Sequence, residues 1–122
     1  MSTITERVAA GAAFLDQHDP EWWRADVERA IDLDRLNLGY SDTCVLGQRC
    51  PLGLRGGNYS EYQAFAAKLI GAQPYEEPEI NAWAAPLGFQ AQLGRPIGEE
   101  MADYRALTAE WKRVITERRA AA

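Results

Sequence analysis

Three side chains of this 122-residue chain could act as nucleophile, base or soft metal ligand: Cys44, Cys50 and the single histidine, His18. A cysteine nucleophile needs a base within reach and a third group to orient that base. Here one base would serve two thiols, and His18 falls at the end of an expected helix, where a solvated or helix-capping role is commoner. Lowering a thiol pKa requires nearby cations, and Arg49 is the only local one. As zinc ligands the cysteines stand six residues apart, outside the short spacing of zinc knuckles, and with His18 they make three ligands where a closed site takes four. Asp32, Asp34 and Asp42 lack the spacing of a calcium loop. Gly56-Gly57-Asn58 lacks the Lys and Ser/Thr of a phosphate-binding loop. The expectation is that the chain has no catalytic residues and no cofactor, and that both cysteines are buried as small apolar groups. A thiol or metal site at Cys44 and Cys50, with His18, is the alternative.

Both cysteines belong to Asp42-Thr-Cys-Val-Leu-Gly-Gln-Arg-Cys-Pro-Leu-Gly53, which Gly47, Pro51 and Gly53 break too often for a regular element. Its Val45, Leu46, Leu52 and Leu54 are too apolar for an exposed loop. The segment reads as an irregular clasp whose Cys44, Val45, Leu46 and Leu52 plug a core. Gln48 stands out, because a side-chain amide in so apolar a stretch needs partners once buried. Backbone groups of its own loop are the nearest candidates.

The elements that must position this clasp are helical. Thr3-x-x-Glu6 is a capping box opening a helix to about Gln17, with Ile4, Val8, Ala12 and Leu15 on one stripe. Asp19-Pro20 ends it and starts a second, shorter helix through Trp22-Trp23 toward Arg29. Adjacent tryptophans on a helix point about 100° apart, so one stays partly exposed. Either can wedge between helices or anchor a partner. Ile31 to Leu38 alternates apolar and polar residues, yet no second strand is available to pair with it, so it reads as an extended connector with its leucines tucked inward. Ser60-x-x-Gln63 caps the helix carrying Tyr62, Phe65, Ala66, Leu69 and Ile70, and Gly71 stops it. A two-turn helix around Ile80 and Ala84 ends before Pro86. The last helix opens at Glu99-Glu100 and carries Met101, Tyr104, Leu107, Trp111, Val114 and Ile115, and it is expected to cross the first in the core. The fold class is all-α: one compact domain over residues 1–122, with four to five helices and the cysteine segment packed on them.

Composition limits the partners. The net charge is -5, with six basic and nine acidic residues up to position 60 and seven and nine after it, so neither half is a basic module. Phosphate backbones need a concentrated cationic face, and the only basic clusters are Lys112-Arg113 and Arg118-Arg119 on the last helix. DNA binding through that helix is a lesser alternative. No apolar run is long enough to span a membrane and no secretion signal leads the chain, so a cytoplasmic location with reduced thiols is expected.

The run Arg7-Val-Ala-Ala-Gly-Ala-Ala-Phe-Leu-Asp16, with Pro20, Trp22 or Trp23, Ile31-Asp-Leu-Asp-Arg-Leu36 and Cys44-Val-Leu-Gly-Gln48, resembles a group of small proteins encoded by actinobacteria and their bacteriophages. Tyr104-Arg-Ala-Leu-Thr-Ala-Glu-Trp-Lys-Arg113 is similar to the closing helix of that group. The likeness leaves out residues 71 to 100. Members of the group often carry a further cysteine just upstream of Cys-Val-Leu-Gly-Gln, where this chain has Asp42-Thr43. The resemblance implies a bacterial cytoplasmic setting and no assigned activity. The functional expectation is therefore a non-enzymatic accessory protein that binds another protein through Trp22, Trp23 or Gln48, a host factor if the gene is carried by a phage.

Overall fold

The computed structural model describes residues 2–122. Five helices follow one another: α1 (Ile4–His18), α2 (Val45–Arg49), α3 (Glu61–Ile70), α4 (Glu77–Ala84) and α5 (Ile97–Ala121). Single 3-10 turns sit at Leu52–Leu54 and Ala85–Leu87, and no strand forms among the described residues. The all-α single domain expected from the periodicities is the observed one. Both capping boxes close as read: Thr3 and Glu6 exchange bonds at the start of α1, and Ser60 and Gln63 at the start of α3. Gly71 stops α3 in the left-handed conformation at φ 72°.

One apolar cluster runs through all five helices. Its centre is aromatic. Trp22 meets Trp111 edge-on with ring centroids 5.5 Å apart, and Phe89 stacks on the other side of Trp111 at 5.4 Å. Trp83 and Phe14 extend the series outward. Trp111 donates its indole N–H to the Gly88 carbonyl at 2.7 Å, so its one polar atom is satisfied inside the core. α1 and α5 lie side by side and point the same way: Arg7 meets Asp103, Gly11 meets Trp111, and Asp16 meets Arg118. The close approach beside α1 depends on Gly11, where an added Cβ would lie 2.0 Å from the Leu87 carbonyl oxygen.

The structure departs from the sequence reading in three places. Residues 20–29 form successive turns rather than a helix, held by Trp22 N–H to Asp19 O, Arg24 N–H to Glu21 O and Ala30 N–H to Val27 O. Carbonyls of this stretch and of Ile31 are instead bound by distant arginines. Arg49 donates to Glu28 O and Arg29 O, and Arg119 donates to Trp23 O and Ile31 O. Second, the cysteine segment contains a helix where a broken stretch was expected. Cys44 caps α2 by accepting the Gly47 N–H on its sulfur at 3.3 Å, and Gly47 is required because a Cβ there would sit 2.0 Å from the Ser41 carbonyl oxygen. Third, Leu52 does not plug the core but is 70% exposed. Ile31, Leu36 and Leu38 do turn inward as read, on turns rather than in an extended run.

Candidate functional site

The residues singled out for chemistry are held apart. Cys44 caps the first turn of α2 and Cys50 closes its last, so they are separated by about 9 Å along the helix axis at 1.5 Å per residue. That exceeds the reach of a disulfide, and both are free thiols in the interior. Burial pushes the Cys44 thiol up to about 12, against a smaller opposing effect of the Gly47 N–H. Burial also raises Cys50, partly offset by the Arg55 guanidinium. Neither is prepared to be a thiolate near neutral pH. His18 lies exposed at the end of α1, stacked on Phe14 at 4.2 Å. No three His, Cys, Asp or Glu side chains among the described residues converge as a metal-holding group.

Gln48 is buried and fully occupied. Its Oε1 accepts the Asp32 N–H at 2.7 Å, while Nε2 donates to Asp32 O at 3.2 Å and to Thr43 O at 2.9 Å. The amide pairs with the Asp32 backbone as a neighbouring strand would. Beside it, Arg49 is 3% exposed and grips Asp19 with two bonds of 2.8 Å. Both side chains fasten the 19–36 segment to α2, so Gln48 is a structural residue and not a free contact. Trp22 is corrected in the same way. It is fully buried, donates its indole N–H to Asp16 at 3.0 Å and lies under the Arg118 guanidinium. Trp23 is the half-exposed member of the pair.

Two concavities meet at the 37–41 turn. The first, of about 200 Å³, has Cys44 at its base and is lined by Tyr62, Asn81, Gln90 and Tyr104. Its polar groups satisfy one another: Tyr62 donates to Asn81 at 3.1 Å, and the Gln90 amide donates to the Tyr104 hydroxyl. Burial raises both tyrosines. It is smaller than the ~300 Å³ at which small-molecule pockets begin.

The second is an open groove of about 670 Å³ between Tyr40 and the face of α5. Tyr40 is 64% exposed, Ile97 77% and Met101 54%, and Tyr104, Thr108 and Ala109 floor it. Glu100, Arg105 and Lys112 stand along its edges. The whole molecule exposes 6713 Å², close to the ~6,600 Å² expected of a folded monomer of this mass. Of the exposed large apolar side chains, Tyr40, Ile97 and Met101 share this groove, whereas Leu52, Tyr59, Tyr75 and Leu93 lie elsewhere.

α5 carries two apolar stripes. Leu107, Trp111 and Ile115 face the core, whereas Ile97 and Met101 fall on the groove side. The sequence reading merged Met101 with the core stripe and missed Tyr40, Ile97 and the flanking charges. The available signal was the 4-3-4 spacing of Ile97, Met101, Tyr104 and Thr108, one residue off the spacing of the core set. The basic clusters of α5 are largely committed internally. Arg113 pairs with Glu110 and Glu117, Arg118 with Asp16, and Arg119 with two carbonyls. Among the described residues, no helix is long and apolar enough to cross a membrane. No family model, curated protein or solved structure matches the chain.

Proposed function

We propose that the chain is a non-enzymatic binding protein that engages another protein through the groove between Tyr40 and α5. The observation that carries this reading is the convergence of three exposed large apolar side chains, Tyr40, Ile97 and Met101, on one concavity. Contiguous exposed apolar surface with polar edges is what protein contact faces present. The separated, protonated cysteines give no support to a thiol or metal site, and the internal pairing of Arg113 and Arg118 in the basic clusters of α5 gives none to DNA binding. The resemblance to actinobacterial and phage-encoded proteins supports a cytoplasmic setting and, for a phage gene, a host protein as partner.

Site-specific photo-cross-linking tests the reading. A photoreactive amino acid at Met101 is expected to yield covalent protein adducts in bacterial extract, and the same group at Tyr75, exposed on the loop before α4, is expected not to. Equal yields at the two positions would overturn the groove as the contact face.

A further inference from the structure

The groove gathers two basic side chains that no ion pair among the described residues holds; Arg35 and Lys68 are likewise without one but lie apart from it. Among the described residues, ion pairs hold Arg7, Arg24, Arg49, Arg95, Arg113 and Arg118. None forms at Arg105 or Lys112, and both stand on the groove. Seven residues apart on one helix, they lie two turns apart on the same side, about 10 Å along the axis. Glu100, about 8 Å from Arg105 along the axis and about 140° around it, stands on the opposite edge. So the groove has an apolar floor, a doubly cationic edge and a singly anionic one, on a chain whose net charge is -5.

Resting on the reading of the groove as a protein-contact face, we propose that its occupant is an amphipathic segment of another protein carrying acidic side chains beside its apolar ones. The apolar residues would cover Ile97, Met101 and Tyr40, with the carboxylates directed to Arg105 and Lys112. Glu100 would repel a carboxylate on the opposite edge and so fix which side of the segment carries its acidic residues. Unpaired cations at an apolar face supply complementarity and orientation more than raw affinity, and like-charge contacts act against the wrong segment.

Fluorescence anisotropy with two labelled helical peptides decides the matter. Both carry leucines at i, i+4 and i+7, one flanked by glutamates and the other by lysines at the same positions. Overall charge alone favours the lysine peptide, whereas the local cations favour the glutamate peptide. The expected result is at least tenfold tighter binding of the glutamate peptide. That preference should shrink between 50 and 500 mM salt, as about 10 Å screening at 0.1 M implies, and reverse in the Arg105→Glu, Lys112→Glu double variant. Equal binding of both peptides, or preference for the lysine peptide, overturns the acidic partner. If Met101→Asp still abolishes that binding, the groove reading survives; if it does not, both fall. Sedimentation showing that the chain pairs with itself and thereby excludes the glutamate peptide overturns the proposal in favour of a second copy as occupant.

Discussion

Replacing Arg49 tests how the irregular third of the chain is held. The guanidinium is buried, makes two 2.8 Å bonds to Asp19 and donates to the carbonyls of Glu28 and Arg29 at 2.9 and 3.0 Å. Arg49→Ala removes the cation paired with a carboxylate that is 18% exposed and strips a donor from two backbone acceptors. Breaking a buried pair from one side costs ~3–5 kcal/mol, against a total of ~5–15 kcal/mol for a domain. In urea, with a slope of about 2 kcal/mol per molar, the midpoint should fall by roughly 2 M. Asp19→Asn keeps the shape but leaves the Arg49 charge uncompensated, and is expected to destabilise by a similar or smaller amount. Arg49→Lys should fall between, because an ammonium cannot present the planar fork. Arg24→Ala is the control: its bond to Asp26 is as short, 2.9 Å, but the partners are 46% and 69% exposed, and no shift in midpoint is expected. If Arg49→Ala costs under ~1 kcal/mol, the value of an exposed pair, then the 19–36 segment is not held by this arginine and the account of its turns is wrong.

Trp22→Ala should lower stability by ~3–5 kcal/mol, the range for deleting a buried Trp, as read by thermal or urea unfolding, whereas the half-buried Trp23→Ala should cost less. Gly47→Ala, with its Cβ 2.0 Å from the Ser41 oxygen, should cost ~1–3 kcal/mol or more by overpacking; a neutral result would remove the reason given for that glycine. Cys44 makes stability fall in alkali. Its folded value of about 12 lies above the usual 9.0, so stability is complete below pH 9 and declines as the unfolded chain alone ionises, by about 1.4 kcal/mol per pH unit. Cys44→Ala should reduce the slope of urea-midpoint profiles between pH 9 and 10, leaving the part that the raised Cys50 contributes, before the raised Tyr62 and Tyr104 add theirs. Met101→Asp should leave the melting temperature within error while abolishing cross-linking and peptide binding, since Met101 is more than half exposed.

The amino-acid sequence alone determined what depends on neighbours within a few residues. The Thr3 and Ser60 caps, the Gly71 stop and the spacing of Leu107, Trp111 and Ile115 define α1, α3 and the core stripe of α5, because capping bonds and helical periodicity act over one to three turns. The inward leucines of Ile31–Leu38 and the buried thiols were legible from residue type, since Leu, Ile and Cys are among the residues most often fully buried. Only the tertiary structure decided what residues 20–36 would be, since four of their carbonyls are claimed by Arg49 and Arg119 from 20 to 96 residues away and no local pattern reports such a donor. The same holds for the two tryptophans: their angular separation says one stays out, but Asp16 and Arg118 choose Trp23 by holding Trp22 inside. And it holds for the groove. Ile97 and Met101 look like core residues on a helical wheel; whether an apolar face is covered depends on whether another element reaches it, and on α5 the 37–41 turn leaves this one open.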